Sequence, residues 1–337
     1  MDSPSVAAKT GAELAQAFTR LDLPQVYSAE ACDRLADTIA RIQVLKRERR
    51  AVVLAHNYQR PEIFEVADIV GDSLELARKG QGIDAEVIVF CGVHFMAETA
   101  KILSPEKTVL LPDLRAGCSL ADSVDPDELV AKRDELRQIY PDLQVVAYVN
   151  TSAAVKAVVD VCCTSANAVE VVEKLPTDHI LFVPDEHLAS YVQSETSKMV
   201  ISWQGNCYVH HQITPENILS VKRGLPNVKV LVHPECRSDV VALADAVLST
   251  SGMVRYAKES PAQEFLVVTE CGLSDKLLLE VPEKTFYKAC KLCQFMKMIT
   301  LENTLQSLER MAHRIELDET VRRNAERSLR RMLELTA

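Results

Sequence analysis

Three stretches of this chain repeat one pattern, and a repeat of that size restricts the fold more than any local motif does. Each copy opens on a hydrophobic run that delivers a polar group at its end: Ala51–Ala55 then His56, Val145–Val149 then Asn150, and Val228–Val232 then His233. An aspartate follows, with a hydroxyl five residues on: Asp68 and Ser73, Asp160 and Ser165, Asp245 and Thr250. A second apolar run comes next, at Val87–Phe90, Ile180–Val183 and Phe265–Val268, and each copy closes on one cysteine, Cys118, Cys207 or Cys293. Polar group to hydroxyl spans 17, 15 and 17 residues, and hydroxyl to cysteine 45, 42 and 43. One thiolate from each copy, brought to a common centre, would hold a metal cluster with one coordination position open, and an open position permits catalysis.

The short apolar runs alternate with amphipathic stretches such as Leu74–Arg78, Ala166–Lys174 and Asp239–Ala244. Strands apolar on both faces and separated by helices indicate parallel sheets covered on both sides. The fold class expected is therefore α/β: three similar α/β/α units with small parallel sheets, related by a pseudo-threefold axis around a central cluster. The units are placed at residues 49–140, 141–225 and 226–299. They follow an N-terminal extension and helix (1–48) and precede C-terminal helices (300–337).

In the N-terminal helix, drawn from Ala29 to Arg50, Leu35, Ile39, Ile42 and Leu45 form the packing stripe, and the basic run Lys46–Arg50 is read as solvated. At the C-terminus Leu301, Leu305, Leu308 and Met311 mark one face, and Val321, Leu329 and Met332 another.

With 337 residues, 47% hydrophobic and 26% charged, the chain has the make-up of a globular protein with room for several cores. A formal charge of −10 argues against nucleic acid as partner, since phosphate backbones require a basic face. No segment approaches the roughly 20 apolar residues of a membrane span. The opening Met1–Pro4 shows no basic stretch followed by an apolar run, so a cytoplasmic location is expected. In such a compartment the ten cysteines are expected as thiols, in ligand or core roles.

Ser73, Ser165 and Thr250 stand where N-cap hydroxyls belong, at the starts of helix-like segments. Helix starts also bind anions, and three at matched positions point to anion sites facing one cavity. His56, Asn150 and His233 fall at strand ends, where α/β sheets bind ligands, with Tyr58 and Tyr148 close by and Glu235 as an acid/base partner beside His233. Cys91, Cys162, Cys163 and Cys271 read as small hydrophobes, and Cys32 and Cys236 receive no role. Cys290 forms a CxxC with Cys293, which alone could signal zinc, redox chemistry or nothing.

The runs Ala55–Gln59, Gly71–Ser73, Ala116–Asp122, Tyr148–Thr151, His233–Glu235 and Cys293–Lys297 resemble the quinolinate synthase (A protein) family from about residue 50 to 305. The resemblance implies a [4Fe-4S] cluster on three cysteines, Cys118, Cys207 and Cys293. It also implies condensation of iminoaspartate with dihydroxyacetone phosphate to quinolinate, releasing phosphate and water, in the biosynthesis of NAD. Substrate contacts carried over are His56, Ser73, Tyr148, Asn150, Ser165, His233, Glu235 and Thr250. Catalytic roles go to Glu235, His233, Tyr58 and His56. The enzyme that supplies iminoaspartate is the one protein partner expected. Gln294 departs from the motif, since many relatives carry proline there.

Two alternatives stay open. One is another iron–sulfur hydratase or dehydratase of a hydroxy acid. The other is a non-catalytic iron–sulfur or zinc protein using Cys290 and Cys293 as a switchable pair.

Overall fold

The computed structural model describes residues 9–337; Met1–Pro4 and the rest of the first eight residues of the N-terminal extension lie outside them. Three four-stranded sheets follow one another along the chain, all parallel and all in one strand order. In the first, β1 (Ala51–His56) lies between β2 (Ile69–Gly71) and β3 (Val87–Cys91), with β4 (Thr108–Leu110) beyond β3. The second repeats this with β5 (Gln144–Tyr148), β6 (Val161–Cys163), β7 (His179–Val183) and β8 (Met199–Ser202). The third has β9 (Lys229–Val232), β10 (Ala246–Val247), β11 (Glu264–Val268) and β12 (Thr285–Lys288).

The apolar runs of the sequence are the two central strands of each sheet, buried along almost their whole length because helices cover both faces.

The repeated aspartate has a structural task that the spacing alone did not show. Asp68, Asp160 and Asp245 each close the connection from first to second strand by accepting the N–H of Val53, Val145 or Val230, at 2.7, 2.8 and 2.9 Å. Each also pairs with a cation, Lys46, Arg137 or Lys229.

The N-terminal helix runs Ala29–Glu48, and Ile39 and Ile42 are fully packed under it. Its basic end departs from the solvated reading at Lys46. That side chain is buried and bonds the Val66 carbonyl and Asp68, both at 2.8 Å, because the helix lies against the start of the first unit. The C-terminal helices are Leu301–Arg310 and Glu319–Leu335, with Leu301, Leu308, Leu329 and Met332 buried. One apolar core runs through the first two units and into the third, while Val230, Val232, Leu266 and Val268 belong to a separate small core in the third.

Two cysteine expectations are corrected. Cys290 is bonded to Cys271 in a disulfide, so it is no partner for Cys293 and Cys271 is no mere core hydrophobe. β11 and β12 pair in parallel register, which sets the residues just beyond their ends side by side with Cα atoms 5.1 Å apart. Cys293 has by then turned away as a free thiol. Cys32, Cys91, Cys162, Cys163 and Cys236 are free and buried, as small hydrophobes are.

Candidate active site

Parallel strands put all their carboxyl ends on one edge, so the groups delivered there face a common space. β1 ends on His56, β5 on Tyr148 with Asn150 two residues on, and His233 follows β9. Loops after β4, β8 and β12 bring Cys118, Cys207 and Cys293 to the same place. The result is one shared cavity, nearly closed in this structure, with a free volume of about 60 Å³. Ser73, Ser165, Thr250, Tyr58 and Glu235 complete the set of residues that the sequence singles out, and all of them line it.

The three hydroxyls are not the helix caps. Asp72 and Ser249, one residue earlier, cap the helices Ser73–Gly80 and Thr250–Glu259 through their side chains. Ser165 lies in the turn before the Ala168–Lys174 helix, where the Thr164 hydroxyl accepts the Ala166 N–H. With the capping done by neighbours, Ser73 and Ser165 are left to the cavity, and Thr250 accepts one bond from Asn57 at 2.9 Å.

Burial sets the protonation states. His56, His210 and His233 are pushed down to about 3 by loss of solvent, so all three imidazoles are neutral at physiological pH. Nδ1 of His56 accepts the Tyr58 N–H at 3.2 Å, which puts the ring hydrogen on Nε2. Burial, reinforced by Glu235, holds Tyr58 and Tyr148 well above the usual phenol range, and they stay protonated. Glu235 itself is raised by burial, opposed by His210. Its Oε2 lies 3.2 Å from Nδ1 of His233 and 3.3 Å from Nδ1 of His210. Burial thus favours the protonated carboxyl more than in water, with two imidazole nitrogens at hand to exchange the proton.

Several buried atoms here have no hydrogen-bond partner among the described residues: Oε1 of Glu235, Oδ1 of Asn150 and Nδ1 of His210. Orphaned polar atoms cost about 1–3 kcal/mol each when buried. Three converging on one cavity mark a place completed by a polar ligand.

The thiols fit an iron–sulfur cluster. Burial drives Cys118 up to about 12 and raises Cys207 and Cys293 as well, so the sulfurs keep their protons unless a cationic centre displaces them. The turns that follow are matched, each cysteine carbonyl accepting the N–H of the residue four positions on, Asp122, His211 or Lys297, and the N–H groups of Ala121, His210 and Met296 act on the sulfurs against that rise. Among the described residues no fourth cysteine lines the cavity. Gln294 has its own use for not being proline, since its N–H donates to the Tyr208 hydroxyl at 2.8 Å beside Cys293.

Sequence reasoning missed His210, Asp72 and Glu270, which also line the cavity. His210 carried a readable signal, one helical turn after Cys207. Asp72 and Glu270 are helix caps whose direction depends on the fold.

The family model described as NadA, quinolinate synthetase A protein, matches residues 40–334. The chain belongs to the quinolinate synthetase A family. It is thus an enzyme of that kind, and its relatives match at nearly full length. Quinolinate synthase 1 of Methanosarcina acetivorans is 54% identical over 302 residues, covering 88% of this chain and 97% of its own. The quinolinate synthase of Xylella fastidiosa strain 9a5c is 51% identical, with 91% and 90% covered, and that of Agrobacterium fabrum 49%, with 92% and 93%. No helix among the described residues is long and apolar enough to cross a membrane.

Proposed function

We propose that this chain condenses iminoaspartate with dihydroxyacetone phosphate to form quinolinate, releasing phosphate and water, for the biosynthesis of NAD in the cytoplasm. Cys118, Cys207 and Cys293 would hold a [4Fe-4S] cluster, with one iron left without a cysteine ligand. The observation that carries the reading is the meeting of three free thiols, and no fourth, with the unpartnered Glu235 and Asn150 oxygens on one buried cavity. Bound there, the cluster supplies a Lewis acid that makes a hydroxyl a better leaving group.

The chain's own groups do the rest. Ser73 and Thr250, at the first positions of their helices, bind carboxylate or phosphate with their hydroxyls and their own N–H groups, the N–H groups of Leu74, Glu75 and Gly252 being taken by the Asp72 and Ser249 caps. Ser165 and Asn150 hold a second acidic group. Glu235 moves the protons of enolisation and dehydration, while His233, His56 and Tyr58, all uncharged, donate to developing negative charge. Burial of these walls keeps water from a hydrolysable imine. The enzyme that makes iminoaspartate is proposed as the partner, and the limits 49–140, 141–225 and 226–299 as those of the three units.

The test is anaerobic purification with iron and sulfide counting, about four of each per chain being expected. Cys118→Ser, Cys207→Ser and Cys293→Ser should each remove the brown absorbance and quinolinate formation, whereas Cys91→Ser should do neither. One observation favours a second reading: Cys207, His210 and Glu235 place a sulfur, a ring nitrogen and a carboxylate oxygen within 4.8 Å of one another, a set that suits a single zinc ion. One zinc per chain with no sulfide would decide for it.

A further inference from the structure

This inference rests on the reading of the three thiols as cluster ligands and concerns what holds them before a cluster arrives. In each unit the residue that opens the helix after the third strand donates its N–H to the carbonyl two residues before the cysteine. These bonds are His94 to Ala116 at 2.7 Å, Glu186 to Gly205 at 2.7 Å and Cys271 to Lys291 at 3.2 Å. The residue just before that donor breaks the symmetry: it is Val93 in the first unit, Asp185 in the second and Glu270 in the third.

Asp185 caps its own helix with one oxygen, accepting Leu188 N–H at 2.7 Å, and with the other accepts the N–H of Cys207 at 3.1 Å. Glu270 does the same for Gly272 at 2.7 Å and for Cys293 at 3.0 Å, with Lys297 lying 3.2 Å away. Both side chains are fully buried, so neither can trade a lost partner for water, and each ties a rigid helix start to a ligand loop. Close packing reinforces both ties. A Cβ at Gly205 would come within 2.6 Å of the Pro184 carbonyl, and one at Gly272 within 2.6 Å of the Tyr58 carbonyl.

Nothing equivalent holds Cys118. The helix His94–Leu103 has no side-chain cap, and the Cys118 N–H has no hydrogen-bond acceptor among the described residues. Its loop leaves Leu114 and Arg115 exposed, and the space beside Gly117 is open to 3.9 Å.

We infer that Asp185 and Glu270 are positioning residues that hold Cys207 and Cys293 in place before the cluster binds, and that Cys118 is the ligand that closes last and lets go first. Cluster assembly would then start on a preformed pair of thiols and finish on the less firmly held third.

The test begins with iron-free wild-type protein and hydrogen exchange resolved to single amides. The N–H groups of Cys207 and Cys293 should exchange at least about 10-fold more slowly than that of Cys118, as one extra hydrogen bond implies. Equal exchange at the three would overturn the inference. The second measurement is iron release to a chelator from anaerobically reconstituted Asp185→Asn and Glu270→Gln, in which one amide oxygen must serve two N–H donors. Release should be about 10-fold faster or more, as for other outer-shell changes. Asp125→Asn, altering a capping carboxylate of the Pro126–Ile139 helix that bonds only its own helix start, should release iron at the wild-type rate. Unchanged release in both variants would also overturn the inference, and exchange on the wild type remains decisive should either variant not fold. Wild-type protein that takes up no iron and sulfide would instead refute the cluster, a result the exchange measurement does not share.

Discussion

His56 shows how much of this site is set by burial rather than by residue type. An imidazole that ordinarily titrates near 6.5 is pushed down to about 3 by loss of solvent, with His233 and Lys297 adding to the shift. Between these two values the unfolded chain binds a proton that the folded one refuses, so stability falls as the pH drops from about 6.5 towards 3 and is flat above. The slope for one such group is up to about 1.4 kcal/mol per pH unit. His56→Gln should therefore show a shallower loss of thermal stability between pH 6 and 4 than the parent, measured on iron-free protein. An identical slope would mean that His56 is not held neutral. At this scale the sequence was legible wherever a strand delivered a polar group, as at His56, Asn150 and His233. It was silent where a side chain's direction depends on tertiary packing, as at Asp185, Glu270 and the Cys271–Cys290 pair.

The recurring unit is the right element for asking what the spacing encodes. Strand, aspartate, hydroxyl, strand and cysteine recur because each aspartate locks the same connection and each hydroxyl follows a side chain, Asp72, Thr164 or Ser249, that accepts an N–H two or three residues ahead of it. The central strands were readable as runs of Val, Ile, Leu and Phe. The second strands were not: β2, β6 and β10 have two or three residues, too few for any period to show. The cations beside the aspartates differ in exposure, at 8% for Lys46, 34% for Arg137 and 44% for Lys229. Removing the carboxylate leaves an unpaired strand N–H in every unit, but strands a buried charge only in the first. Asp68→Ala should cost about 3–5 kcal/mol, against about 1–3 kcal/mol for Asp245→Ala. Urea unfolding of the two variants checks the ranking, and equal costs would show that Lys46 finds other compensation.

Across the whole molecule the question is how charged substrates reach walls as buried as those of His56, His233, Glu235 and Thr250. Some part must open, and an opening seam should be polar and lightly packed. The seam between the first and third units beside Ser73 and Thr250 is of that kind. Ser251 stands at its centre, its hydroxyl donating to Glu75 at 2.6 Å and accepting the Asp72 N–H at 3.0 Å and the Asn57 amide at 3.1 Å. Ser249 donating to Asp72 and Asn57 donating to Thr250 add a fourth and a fifth bond, each at 2.9 Å. The far side of the third unit has its own small core, which stays intact when the seam opens, while its inner face, with Met253, Phe265 and Val267, packs into the main core and limits the movement. The first two units are in addition clamped together by the last helix, in which Arg322 reaches the Ile102 carbonyl and Ser328 that of Lys156. Ser251→Ala removes three of these five seam bonds and none of the groups assigned to substrate. It should therefore speed hydrogen exchange at Asp72–Glu75 and Thr250–Met253 by about 10-fold or more, each lost bond being worth about 1 kcal/mol net. Substrate KM should rise, because closure no longer completes the site as favourably, while kcat is kept or increased where opening limits product release. Wild-type exchange at both segments together with an unchanged KM would place the entrance on another seam.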